Sequence, residues 1–354
     1  MTAIVSFSIL LVAIYLLAVV TEGIFIPSLD AISARWRLPS NVAGASLMAM
    51  GSSAPELSIA LLALFREGGA HSDVGIGTIV GSAVFNILVI TGVSAIVRDA
   101  RITLPVIIRD TVFYMTSIIL LLVTFFDGRI TLKESLLFLI WYVLYLVFLF
   151  VMPSDDPEES GVDIHPADHV AAVPGRSGGL AVRVTGAIKA GIGWVAGDPE
   201  RSSVRAFGVA IIVIVALSWV LVDSAVIFAG AVGLPPVVIA LTVLAAGTSA
   251  PDLLSSVLVA REGRGAMAVA NAVGSNIFDI LVGLGLPWLL AILFLGRPII
   301  EVGTGDLIAS TVVLMGTVVI LFTFLYTDRR LTRREGVALL GIYAAYVLWT
   351  VMAG

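Results

Sequence analysis

The chain has 354 residues, of which 59% are hydrophobic and 13% charged, and its mean hydropathy is +1.09. A soluble globular chain is about half apolar and about a quarter charged, so this surplus excludes a single water-soluble domain and has to face lipid. The net charge of −5 says little about partners, because most side chains never meet water, and the lack of cysteine excludes disulfides, thiolate metal sites and cysteine nucleophiles.

Thr2 to Val20 has the length of a signal peptide, but no basic stretch precedes it and no small-residue cleavage site follows, so it reads as the first membrane span. Apolar stretches able to cross a hydrocarbon core of roughly 30 Å then recur. The predicted spans are 3–27, 39–65, 74–97, 103–126, 131–152, 205–230, 235–260, 266–295, 304–326 and 335–353, which makes an all-α integral membrane protein of about ten transmembrane helices. Gly, Ser, Thr and Pro interrupt several of them; such breaks are tolerated at membrane depth only where protein groups or a wet cavity satisfy the freed backbone. Pro153 to Ser203 is the clearest soluble stretch, with an acidic run at Asp155, Asp156, Glu158 and Glu159 followed by Pro- and Gly-rich sequence. It is too short and irregular for a domain and reads as a linker rather than a regulatory calcium site. The expected organisation is a five-helix membrane repeat over 1–152, a linker over 153–204 and a second five-helix repeat over 205–354.

Lys and Arg orient the spans. With the N-terminus extracytoplasmic, the cytoplasmic side holds Arg35, Arg37, Arg98, Arg101, Arg109, Arg176, Arg183, Lys189, Arg201, Arg205, Arg261, Arg264, Arg329, Arg330, Arg333 and Arg334. The opposite side keeps Arg66, Arg129, Lys133 and Arg297. A ratio of 16 to 4 puts both termini outside and the linker inside, in a multi-pass protein of the cell membrane.

The chain repeats itself. Gly51 to Leu57 reads G-S-S-A-P-E-L and Gly247 to Leu253 reads G-T-S-A-P-D-L, at an offset of 196. Gly81 to Leu88 reads G-S-A-V-F-N-I-L and Gly274 to Leu281 reads G-S-N-I-F-D-I-L, at an offset of 193, and Leu38-Pro39 aligns with Leu234-Pro235. Five spans per half is an odd number, so the second half has to enter the membrane from the other side: the repeats are inverted. Inverted repeats place a substrate site near the midplane on broken helices.

The repeated motifs fall there. Glu56 and Asp252 lie near the middle of the second and seventh spans, where an ionised carboxylate is costly and functional by default. Pro55 and Pro251 precede them, and since proline withdraws an amide donor, the turns around Ala49 and Ala245 are expected to open and bare carbonyl oxygens. Ser52, Ser53, Thr248 and Ser249 stand beside them, and the third and eighth spans add Ser82, Asn86, Ser275 and Asp279. Each of these groups offers oxygen, and none of the histidines (His71, His165, His169) lies mid-span. Such a site suits calcium rather than zinc or copper; two carboxylates neutralise one calcium, and the same oxygens can hold sodium instead. Competition for shared ligands gives exchange, because an uncompensated cluster of buried anions is unstable. Asp279 makes a third acid, so one acid is expected to carry a proton in some states.

Plainer readings stand beside these. Gly51, Gly81, Gly247 and Gly274 could serve close helix packing, and any single serine or threonine could bond back to its own helix. Glu22 and Asp223 lie nearer span ends and face either an ion path or the aqueous boundary.

The paired G-S-S-A-P-E-L and G-T-S-A-P-D-L motifs resemble the alpha repeats of the cation/calcium antiporter superfamily. Phe25 to Leu29, Val42 to Leu57, Gly75 to Leu88 and Gly274 to Trp288 are most similar to the potassium-dependent sodium/calcium exchangers. The resemblance covers both membrane halves and fails over the linker. It implies a secondary antiporter exchanging calcium for sodium, with no cofactor, no nucleic-acid partner and no obligate protein partner. Glu56 and Asp252 would ligate calcium and share sodium, Ser52, Ser53, Ser82, Thr248, Ser249 and Ser275 would supply hydroxyls, and Ala49 and Ala245 carbonyls. Asn86 and Asp279 would complete the site. An acid at Asp279 and the shorter Asp252 lean toward the potassium-using branch, with potassium co-transport left open, and the first and sixth spans are implied to slide over a stationary core.

A proton/calcium antiporter would use the same carboxylates as proton carriers; the hydroxyl-rich surroundings favour sodium. Gly303-Thr304-Gly305-Asp306 spells the G-x-G-D signature of an intramembrane aspartyl protease, but neither its Tyr-Asp partner nor its later Pro-Ala-Leu motif is present. A passive calcium channel usually repeats its ligands around a rotational pore, which inverted halves do not.

Overall fold

A computed structural model describes residues 2–36, 49–65, 72–101, 104–151, 193–199, 201–261, 265–296, 298–302 and 305–353, with positions 186 and 191. Leu38-Pro39, the start of the second span, most of the linker with its acidic run, and Gly303 and Thr304 of G-x-G-D lie outside the described residues.

Among the described residues, nine helices are long and apolar enough to cross a membrane, from Thr2–Leu29 to Arg333–Ala353, and the shorter apolar helix Ala54–Phe65 falls where the second span was expected. Lipid offers no hydrogen bonds to a backbone, which is why apolar segments of this length become helices. Large side chains such as Val12, Val123, Ile140, Ile212 and Leu348 point outward, an arrangement that only lipid stabilises. Inward, small residues let helices approach: Ala13, Ala206, Ala210, Ala225 and Ala229 are buried at or near the seam where the first span packs along the sixth, Ser203–Val232.

Several further contacts interleave the two halves. The helix Thr91–Val97 packs on Arg333–Ala353, Leu104–Phe125 on Gly305–Asp328, and Leu132–Val151 on Gly285–Phe294. Two short antiparallel strand pairs join loops from opposite halves. β1 (Ala100–Arg101) pairs with β4 (Arg330–Leu331), and β2 (Arg129–Thr131) with β3 (Ile299–Glu301). The last span of each half starts with the same one-sided cap: Glu134 accepts from the backbone N–H and hydroxyl of Thr131, and Glu335 does the same for Thr332. This T-x-x-E pair is a further element of the repeat, 201 residues apart.

Four π-helical segments widen the spans: Thr21–Phe25, Asn86–Ile90, Ala240–Leu244 and Asp279–Leu284. Such widened turns concentrate at functional sites. Two of them begin on the repeat-equivalent residues Asn86 and Asp279, whose side chains are thereby turned relative to the helix before them.

Close packing accounts for one of the motif glycines more than its counterpart. A Cβ on Gly81 would sit 2.7 Å from the backbone of Leu241, within the π segment of the seventh span, whereas one on Gly274 would meet only the Tyr145 hydroxyl at 4.0 Å. Overpacking against rigid backbone costs about 1–3 kcal/mol or more. Gly81→Ala is therefore expected to lower the melting temperature of the detergent-purified protein by several degrees, and Gly274→Ala to leave it unchanged; equal behaviour of the two would show that the third and seventh spans are not in backbone contact.

Candidate functional site

Glu56 sits in the first turn of the helix Ala54–Phe65, and Asp252 in the first turn of Ala250–Arg261. Each follows a proline, which a first turn accepts because its amide would have no helical partner anyway. Both carboxylates thus hang at helix N-termini inside the membrane, where the helix dipole favours negative charge. A one-turn helix precedes each, Ala49–Ser52 and Ala245–Thr248, and a single residue, Ser53 or Ser249, marks the break. Ser249 sits at φ −85°, ψ 0°.

The break is narrower than the sequence suggests. The Ala245 carbonyl accepts from the Ser249 N–H at 3.1 Å and from Thr248 Oγ1 at 3.3 Å, so the expectation of an open carbonyl at Ala245 is corrected here. The reason lies in helix geometry. A proline removes the donor for the carbonyl four residues earlier, which is Gly247 for Pro251 and Gly51 for Pro55.

Hydroxyls from the two halves interlock around the acids. Ser82 Oγ lies 2.6 Å from Ser249 Oγ and donates to Glu56 Oε1 at 3.5 Å, while Ser52 Oγ lies 3.4 Å from Ser275 Oγ. Thr248 stands against the Glu56 carboxylate, and Asp279 lies by Ser53 within electrostatic reach of Glu56 and Asp252. Asn86 enters from the third span, its Nδ2 donating to Asn276 Oδ1 at 2.8 Å. The structure therefore brings together the predicted side-chain ligands from both repeats. It does not close the three acids into one tight cluster: among the described residues, no three acidic or histidine side chains converge enough to hold an ion by themselves. Like charges repel, and hydroxyl and amide oxygens fill the space between them.

Four oxygens in this region are buried and have no protein partner: Ser53 Oγ, Glu56 Oε2, Asn86 Oδ1 and Asp279 Oδ1. Glu56, Asn86 and Asp279 are 2%, 1% and 1% exposed. An orphaned buried acceptor costs on the order of 1–3 kcal/mol, more when charged, so these oxygens need water or an ion beside them, and the two carboxylates among them favour a cation. Oxygen donors of this kind suit calcium and alkali ions.

Asp252 is less buried than Glu56 and reaches a cavity of about 90 Å³, whose polar lining includes Thr21, Glu22, Ser52, Thr248 and Ser255. Glu22, ambiguous from sequence, thus faces the same space as Asp252, whereas Asp223 accepts from Trp219 Nε1 at 3.1 Å on an exposed face of its own helix. Three residues beside the site are absent from the sequence analysis: Asn276, its neighbour Tyr114, whose hydroxyl accepts from Asn276 Nδ2 at 2.8 Å, and Thr21 on the cavity wall. Asn276 lay in plain view inside G-S-N-I-F-D-I-L, as a polar mid-span residue whose repeat counterpart is Ala83.

The family model described as sodium/calcium exchanger protein matches residues 5–151 and 202–352. Among curated proteins, the chain is 27% identical to sodium/potassium/calcium exchanger 4 of Homo sapiens, covering 96% of this chain and 79% of that one. It is 29% identical to sodium/potassium/calcium exchanger 5 of Homo sapiens, covering 99% and 83%. Among solved structures, one of the sodium-calcium exchanger NCX_Mj shares the fold at a TM-score of 0.59 and 21% identity, over 98% of both chains.

Proposed function

The chain belongs to the sodium/calcium exchanger protein family, and on that premise we propose that it exchanges calcium for sodium across the cell membrane by alternating access. The observation that carries this reading is the group of buried, partnerless oxygens at the repeated motifs, which includes the Glu56 and Asp279 carboxylates. Calcium neutralises Glu56 and Asp252 together; sodium ions occupying the same oxygens do so in its place. Exchange follows because neither ion leaves a compensated site unless the other replaces it. The ions are cargo, and no cofactor or reaction enters the scheme.

The cross-paired loops support inverted halves. β1 follows the third span and bonds to β4, yet the first-half equivalent of β4 is β2, at the other end of the fourth span. Halves in the same orientation would bring like loops together instead. Nearly all buried apolar side chains of the first and sixth spans share one core cluster, joined there by Ala54, Ile59 and Ala63 of the second span and Ile239, Ala240 and Leu244 of the seventh, and most of those of the third, fourth, eighth and ninth form another. That division suits a sliding pair moving over a stationary body. With both termini outside, the Glu22–Asp252 cavity lies on the cytoplasmic half of the bilayer, because Ser255 and Asn271 on its wall flank the Arg261 end of their spans.

Calcium uptake into proteoliposomes, driven by an outward sodium gradient with pH clamped, tests the reading; uptake that needs only a proton gradient overturns it. In the same assay Glu22→Gln is expected to raise the half-saturating cation concentration about threefold on the cavity side alone, an effect that fades with ionic strength as screening removes the attraction. A symmetric change would place Glu22 off the path.

A further inference from the structure

We infer that Asn276 is a positioning residue: it orients the Asn86 amide so that oxygen, not NH2, is presented to the transported cation. The inference rests on the cation-site reading above and goes beyond it in assigning a role to a residue outside the ligand set.

The steps follow from hydrogen-bond polarity. An amide side chain ends in one acceptor and one donor of nearly equal shape, so only its neighbours decide which way round it sits. Asn276 is 0% exposed and touches the backbone carbonyl of Ala83, which can only accept. The group facing it has to be NH2, and Asn276 Nδ2 indeed donates to Ala83 O at 3.1 Å and to the fully buried Tyr114 hydroxyl at 2.8 Å. The Asn276 oxygen is thereby turned toward Asn86. Two amide oxygens cannot face each other at 2.8 Å without repulsion, so Asn86 offers Nδ2 there. Its own Oδ1 is left buried and without a protein partner. A backbone carbonyl in the third span thus dictates, through one side chain of the eighth, which atom of Asn86 the ion meets.

The same logic explains why the repeat is unequal here. The counterpart of Asn86 is Asp279, and the counterpart of Asn276 is Ala83. A carboxylate presents oxygen either way round and needs no orienting partner. An amide does, and only the amide has one.

A double-mutant cycle in proteoliposomes tests this. Asn276→Ala frees the Asn86 amide to turn and is expected to raise the half-saturating calcium concentration about tenfold, with the maximal rate within about twofold of wild type. In an Asn86→Ala background the same replacement should add nothing, because no amide remains to orient. Tyr114→Phe leaves the Ala83 anchor in place and should shift the affinity by no more than about twofold. If the Ala variant fails to insert, Asn276→Leu keeps the volume while removing the bonds and should give the same pattern. Additive losses, a fall in maximal rate at unchanged affinity, or no effect at Asn276 would overturn the inference. An Asn86→Ala variant with normal calcium affinity would instead remove Asn86 from the site.

Discussion

Replacing Glu56 by Gln, or Asp252 by Asn, is expected to abolish calcium exchange while leaving a folded, inserted protein. A carboxylate about 4 Å from a cation contributes about 4 kcal/mol per unit charge at the effective dielectric of protein sites, and calcium carries two charges. Even after desolvation offsets part of this, apparent calcium affinity should fall on the order of a thousandfold. Folding should not suffer, for a reason the geometry supplies. Glu56 Oε1 only accepts, from Ser82, and Oε2 has no protein partner. A glutamine keeps the acceptor and removes a buried charge, which without its counter-ion is a liability. The melting temperature of Glu56→Gln in calcium-free detergent should therefore equal or exceed that of wild type. The stabilisation by calcium, about 2.7 kcal/mol for wild type at a hundred times its dissociation constant, should vanish. Near-normal exchange in Glu56→Gln would show that the site lies elsewhere, and a collapsed melting temperature would show that the carboxylate serves the fold.

Much of this site can be read before any coordinates because burying a charge in hydrocarbon is so costly that Glu56 and Asp252 have few other reasons to be mid-span. The spans are legible for a related reason, since lipid demands uninterrupted apolar length: 205–230 is expected and Ser203–Val232 is found, 335–353 expected and Arg333–Ala353 found. What escapes is what depends on backbone detail rather than on side-chain type. A π segment has no composition of its own, so nothing in N-I-L-V-I announces that the helix widens at Asn86. Proline's general effect predicts an opening at Ala245, and local hydrogen bonds from Thr248 and Ser249 close it. Asn276 is hidden by the comparison that reveals the site: aligning the repeats rewards matches, and Asn276 is a mismatch with Ala83. The T-x-x-E caps at Thr131 and Thr332 drop out because their offset, 201, has drifted from the 196 and 193 of the motifs.

Asp279→Asn is expected to convert the exchanger to potassium-independent calcium transport. With Glu56 and Asp252 ionised, the two halves contribute equal charge, and a single calcium compensates it. Asp279 adds one negative charge that calcium leaves over, at a position where the other half has the neutral Asn86. A buried uncompensated carboxylate with an unpartnered oxygen requires a monovalent cation or a proton alongside calcium. We propose potassium for that place, the ion toward which the acid at Asp279 already leans in the sequence. Asparagine keeps the shape and the acceptor oxygen and removes the need for that cation. Sodium-driven calcium uptake should rise with potassium in wild type and be flat in the variant, with the calcium-bound protein no less stable. The reciprocal change should not restore what is lost: Asn86→Asp would set a carboxylate oxygen against Asn276 Oδ1, where Asn86 now donates at 2.8 Å. The charge is therefore tied to the second half by its neighbours as well as by its sequence. Potassium dependence that persists in Asp279→Asn would place the co-transported ion elsewhere, and uptake by wild type that ignores potassium would leave the third charge to a proton or a further sodium.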